Sequence, residues 1–277
     1  METKAARYRI VFSDVDGTLL NSRHKMLPGT LAAIRELEKR RIPFVIVSAR
    51  SPSGIDPILR ENRFRCPVIS YSGALMLDEN GKEMFSSGIS KAAAADVISY
   101  IEVHSLACSW NIYSKDTWIV KDRSDPRVLR EEGIVKASAV EGTLDMLGQD
   151  AQVNKILCMC EPTQILGIER ALNAAFPALS IARSSDILLE IMQKGVTKGR
   201  AIARLCGLWD IPLEAAVAFG DHYNDVEMLR AVGLPFLMGN APNELKKQFS
   251  NIALDNDQEG IYNALLQAGL IASGKEI

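Results

Sequence analysis

The chain has 277 residues, with 32 Lys and Arg against 34 Asp and Glu, for a formal net charge of −2. That balance argues against a nucleic-acid binder, which ordinarily carries a basic surplus. Apolar residues make up 47 % and charged residues 24 %, enough apolar matter for a sizeable core in one large domain or two modest ones. No apolar run approaches the roughly 18–20 residues needed to span a bilayer. The segment Met1 to Arg9 is polar and lacks the apolar core of a secretory signal, so a cytoplasmic protein without a membrane partner is expected.

Tyr8 to Phe12 reads as a short apolar strand ending at Ser13-Asp14. Gly29 to Arg41 reads as a helix, with Leu31, Ile34 and Leu37 at helical spacing and Pro28 suited to its first turn. Phe44 to Val47 is a continuous β-branched and aromatic run, as in a strand covered on both faces. A helix around Ile55 to Glu61 and a strand at Val68 to Tyr71 complete a β-α-β-α-β order, which implies a parallel sheet.

From about residue 82 to 190 the order is less regular. Lys91 to Val103 reads as a helix, and Ser109 to Tyr113 with Thr117 to Val120 as a hairpin. Val153 to Cys160 reads as a strand, Thr163 to Phe176 as a helix, and Leu179 to Ala182 and Ile187 to Ile191 as strands. The α/β alternation then resumes: helix Thr197 to Leu208, strand Ala215 to Phe219, helix Asp225 to Val232, strand Pro235 to Met238, and helices Pro242 to Phe249 and Ile261 to Ala268. Turn formers at Asp78 to Gly81 and Gln193 to Gly195 mark the shifts in pattern. The expectation is an α/β domain over residues 1–82 and 191–277 with an inserted α+β domain over 83–190. The five cysteines, an odd and irregularly spaced set, read as buried reduced thiols rather than a disulfide framework.

Chemistry-bearing residues gather where strands are expected to end. The first delivers Asp14-Val15-Asp16-Gly17-Thr18. Carboxylates two apart at such a point suit a hard cation or acid/base work. A calcium loop opens in the same way, but Arg23 stands where it needs a glutamate. The second strand ends at Ser48-Ala49-Arg50, before a helix start that could cap itself or cradle a phosphate. Lys198 opens a helix against the helix dipole, which a nearby anion would explain. A later strand ends in Gly220-Asp221-His222-Tyr223-Asn224-Asp225, which taken alone is an Asx turn. Acids, a hydroxyl and a cation on one edge of a parallel sheet, where such sheets bind ligands, are not expected from independent caps and turns.

In that order, DVDGT, the strand-end Ser, Lys-Gly and GDxxND resemble the haloacid dehalogenase superfamily. The large insert, with Met228 to Ala231 and Met238 to Ala241, is similar to its capped, Cof-type sugar-phosphatase branch. The resemblance implies a Rossmann-like core with a C2-type cap. It also implies a phosphatase acting on small phosphorylated metabolites through an aspartyl-phosphate on Asp14, with Asp16 as general acid and base. Mg2+ would be held by Asp14, Asp16 through its carbonyl, Asp221 and Asp225, the last orienting the site. Ser48, Ala49, Arg50, Lys198 and Asn224 would bind phosphate or substrate. A phosphomutase or phosphotransferase, or a non-enzymatic phospho-acceptor module, is the alternative. Departures are Ser72-Gly73 where Asn-Gly is common, and His222 and Tyr223 where small or polar residues are frequent. In the insert, Trp110, Tyr113 and Trp118 read as core rather than ligand-stacking groups. Arg123, Lys155 and Arg183 are candidate anion contacts.

Overall fold

The structure, a computed structural model, describes residues 7–272. The first six residues of the polar N-terminal segment and residues 273–277 of the expected core domain lie outside the described residues. The chain forms two compact units. One comprises residues up to Ala49, Ile58–Lys82 and everything from Thr197 on; the other comprises Arg50–Pro57 and Glu83–Val196.

The first unit begins with β1 (Ile10–Ser13), buried at every residue. Helix α1 (Pro28–Lys39) buries Thr30, Ala33, Ile34 and Leu37, one stripe of a 3.6-residue repeat. The Glu259 carboxylate accepts the Gly29 and Thr30 N–H groups at 2.7 and 2.8 Å and so caps this helix. Strand β2 (Phe44–Val47), helix α2 (Pro52–Asn62), whose residues up to Pro57 group with the second unit, and β3 (Val68–Ser70) follow. The next strand, β4 (Leu75–Leu77), was not foreseen and runs antiparallel to β3. The cause is a tight reversal in which Tyr71, Ser72 and Gly73 all have positive φ (51°, 52° and 116°). Three such residues turn the chain back on itself within too few residues for a parallel crossover.

The second unit continues with β5 (Glu83–Ser86), β6 (Ile89–Ser90) and α3 (Lys91–Val103), whose Ala93 N–H donates to Ser90 Oγ. The hairpin β7 (Cys108–Ser114) and β8 (Thr117–Val120) forms as expected. Helix α4 (Pro126–Val135) and β9 (Val140–Glu141) occupy a stretch with no sequence assignment. Only Val128 of α4 is fully buried, and its Leu129 and Ile134 are exposed. The expected strand Val153 to Cys160 is two, β10 (Gln152–Val153) and β11 (Lys155–Cys160), parted at buried Asn154. The Asn154 amide donates to Ser86 and Ser87 and accepts the Lys115 N–H at 2.7 Å. Helix α5 (Ile165–Ala175), β12 (Leu179–Arg183) and β13 (Leu188–Gln193) complete a sheet ordered β12-β13-β11-β7-β8-β9. Ile112, Ile119, Ile156 and Ile191 pack with Val97 and Ile101 of α3 and Ile168 and Leu172 of α5 as its core.

The chain returns to the first unit through α6 (Lys198–Leu208), β14 (Ala216–Gly220), α7 (Val226–Ala231) and β15 (Leu234–Leu237). The expected helix at Pro242 is a single turn, α8 (Asn243–Lys246), and α9 (Gly260–Gln267) is the last. Strands run β15-β14-β1-β2-β3-β4, with β15 through β3 mutually parallel. Among the described residues no helix is long and apolar enough to cross a membrane.

Candidate functional site

Parallel neighbours β14, β1 and β2 end side by side, and their C-terminal ends carry Gly220-Asp221, Asp14 and Ser48. Asp14 is 7 % exposed, and its N–H donates to the Phe219 carbonyl at 3.0 Å. Lys198, at the first position of α6, is 1 % exposed. Its Nζ donates at 2.6 Å to Asp14 Oδ1 and at 2.6 Å to Asp225 Oδ1. The remaining oxygen of fully buried Asp225 accepts the N–H groups of Asp221 and His222 at 3.0 and 3.1 Å. Both Asp225 oxygens are therefore engaged, and this side chain holds Lys198 and the Asp221 loop in place.

Asp221 accepts from Thr18 Oγ1 at 2.9 Å. Gly17 lies so close that a Cβ there would stand 2.3 Å from Asp221 Oδ2, and its φ is +79°. Glycine is the residue that allows both the turn and the approach. Asn240 donates to the Gly17 carbonyl at 2.8 Å, and its Oδ1 accepts the Asn256 N–H at 3.2 Å. The reversal after β3 locks the neighbouring end: Ser72 N–H donates to the Ser48 carbonyl at 2.8 Å. A Cβ on Gly73 would meet the Thr197 carbonyl, just before α6, at 2.8 Å. The left-handed turn Tyr71–Gly73 thus packs between the end of β2 and the start of α6.

Asp14, Asp221 and Asp225 can bring one oxygen each within 4.8 Å of one another. Three carboxylates face one ammonium. Burial, opposed by Lys198 and reinforced by Asp225 and Asp221, raises Asp14 to about 8. Burial likewise raises Asp221 to about 6, against the Thr18 hydrogen bond. Burial alone would lower Lys198, but the carboxylates of Asp14 and Asp225 overcome it and push the ammonium above the usual lysine range. Surplus negative charge and an all-oxygen donor set fit a hard divalent cation.

The structure therefore gathers Asp14, Lys198, Asp221 and Asp225. Ser48 is buried beside them at the end of β2, followed by Ala49. Asp16 is exposed, two residues past Asp14, and its backbone bridges to Leu20. Asn224 is exposed in the helical turn Tyr223–Asp225. The exposed His222 and Tyr223 rings meet edge to face at 5.2 Å. Arg50 groups with the other unit, where its Nη1 donates to the Gly54 carbonyl at 3.2 Å. Thr18, Asn240 and Asn256 had no role assigned from the sequence. Thr18 and Asn240 lie within motifs already quoted, DVDGT and Met238 to Ala241, whereas Asn256 lies in no motif.

In the second unit the candidate anion contacts are paired with its own acids. Lys155 meets Glu190 at 3.4 Å, Arg123 meets Glu132 at 3.2 Å and Arg183 meets Glu169 at 3.1 Å. Trp110 joins the core, and its Nε1 donates to Glu102. Tyr113 and Trp118 stack on the opposite sheet face, 5.4 Å apart. The cysteines are free; all are buried except half-buried Cys108.

The haloacid dehalogenase-like hydrolase family profile matches residues 11–265. A Haemophilus influenzae protein named "Putative phosphatase" is 35 % identical over 92 % of this chain and 95 % of its own length. An "HMP-PP phosphatase" of Serratia proteamaculans is 27 % identical over 86 % of each chain. The crystal structure of a haloacid dehalogenase-like hydrolase from Bacteroides thetaiotaomicron superposes with a TM-score of 0.86 at 24 % identity, covering 94 % of this chain and 99 % of that one. The chain belongs to the haloacid dehalogenase-like hydrolase family. It is an enzyme of that family's phosphatase group.

Proposed function

We propose that the protein hydrolyses small phosphomonoesters, sugar phosphates or similar metabolites, using Asp14 as a covalent nucleophile. The observation that carries this reading is the buried Asp14–Lys198–Asp225 network at the C-terminal edge of a parallel sheet, with Asp221 alongside. A carboxylate oxygen of Asp14 attacks phosphorus, and the bond to the leaving oxygen breaks. Asp16 gives that oxygen a proton. The Asp16 carboxylate then takes a proton from the water that attacks phosphorus, the bond to Asp14 breaks, and inorganic phosphate leaves.

Lys198 fixes the Asp14 carboxylate and offsets its repulsion of the phosphoryl group, with Ser48 and Asn224 as further donors. Asp14 and Asp221, with the Asp16 carbonyl, would hold Mg2+, which when bound supplies charge neutralisation to the phosphoryl oxygens. Asp225 positions these groups rather than touching the reacting atoms. The insertion, expected over 83–190, acts as a cap that excludes water and selects the leaving group.

Purified protein should release phosphate from an aryl phosphate with Mg2+ present, and Asp14→Asn should remove that activity. Hydrolysis undiminished in Asp14→Asn, or indifferent to EDTA, would overturn the mechanism.

A further inference from the structure

The opposite edge of the same sheet is basic. β1, β2 and β3 are parallel neighbours, so the residues entering them share the edge away from Asp14 and Ser48. Arg7 and Arg9 precede β1, Arg40 and Arg41 precede β2, and Arg63 and Arg65 precede β3. All six are exposed, in a chain whose formal charge is −2. A cluster of this kind sets a local positive field that the net charge conceals.

An open cavity of about 600 Å³ lies at this edge, lined by Arg9, Arg40 and Arg41 and, among the described residues, by no acidic side chain. Ile42, Pro43 and Ile211 line it as apolar residues, and Tyr8, whose ring lies 5.6 Å from the Arg7 guanidinium, lines it as well. The guanidinium groups differ in how they are committed. Arg40 is tied to Glu36 at 2.9 Å, and Arg9 donates to the Asp210 carbonyl at 3.2 Å. Arg41 makes no ion pair or side-chain hydrogen bond among the described residues. Its φ of 59° presents it at the turn between α1 and β2.

Guanidinium forks match phosphate oxygens, and an aromatic ring with an apolar wall suits a planar body. The cavity also exceeds what inorganic phosphate fills and falls in the size range of small-molecule sites. We propose that this cavity is a second ligand site, separate from the Asp14 site, that binds a nucleoside phosphate. Arg9, Arg40 and Arg41 hold its phosphates, and Tyr8 lies against its base.

The test is calorimetric titration with the β,γ-imido analogue of ATP, in EDTA so that no metal draws phosphates to the Asp14 site. Hydrogen–deuterium exchange then locates the binding. The proposal expects one equivalent bound, affinity falling steeply with salt, and protection at residues 8–10 and 40–44. Affinity should drop at least tenfold in Arg41→Glu and further in Arg9→Glu/Arg41→Glu. Aryl phosphate hydrolysis by Arg41→Glu should remain at the wild-type level, which verifies its fold. No binding, binding indifferent to Arg41→Glu, or protection at residues 14–18 and 221–225 instead would overturn it.

Discussion

Lys198→Met removes a single ammonium from between two buried carboxylates. Nζ lies 2.6 Å from each of Asp14 and Asp225, with Lys198 1 % and Asp225 0 % exposed. Removing one partner of a buried ion pair costs about 3–5 kcal/mol, a large part of the roughly 5–15 kcal/mol by which a domain is folded. Asp14, already raised to about 8, can shed its charge by taking up a proton. Asp225 keeps its two backbone donors, but its other oxygen is left buried without the ammonium, so part of the penalty falls there as well. The expected loss is about 3 kcal/mol at pH 7.5, measured by urea denaturation in EDTA against wild type. It should shrink at pH 5.5 and be partly recovered by Asp225→Asn in the same chain. A loss under about 1 kcal/mol, the scale of an exposed pair, or a loss equal at both pH values, would refute this account of the network.

Gly17→Ala would force a methyl group to within 2.3 Å of Asp221 Oδ2 at a φ of +79°. Affinity for Mg2+, measured by calorimetry, should fall at least tenfold, and an unchanged affinity would count against Asp221 as a ligand. Asp221 is raised to about 6 from 3.8, so the folded metal-free protein binds more protons than the unfolded chain between those values. Its contribution is therefore present below about pH 4 and is lost as pH rises through about 6. The Tm difference between wild type and Asp221→Asn in EDTA should drift against wild type across that interval, and Mg2+ should reverse the drift. A difference that moves in wild type's favour would contradict the crowding of carboxylates.

The core α/β alternation was legible because buried strands such as Phe44–Val47 and amphipathic helices such as α1 write their packing into the sequence. Asp14, Lys198 and the Asp221–Asp225 loop were legible as strand-end and helix-start chemistry. The antiparallel β4 was hidden because it depends on positive φ at Tyr71 and Ser72, which are not glycines. The break at Asn154 was hidden because its cause is a set of contacts with Ser86, Ser87 and Lys115. Asn240 and Asn256 act through backbone carbonyls and amides brought together from distant segments, a placement that no local pattern encodes.

Lys198 binds an aspartate that precedes it by 184 positions and another that follows it by 27. At a synthesis rate of about 5–20 residues per second, Asp14 waits roughly 10–40 s on the ribosome for its counter-ion. A nascent chain halted before Lys198 carries the Asp14 carboxylate without its counter-ion, and one halted before Asp225 lacks the side chain that aims that counter-ion. Under the proposed mechanism, turnover can then begin only once the chain has been made past residue 225 and Lys198 has closed on both aspartates, so activity doubles as a report that these distant segments have met.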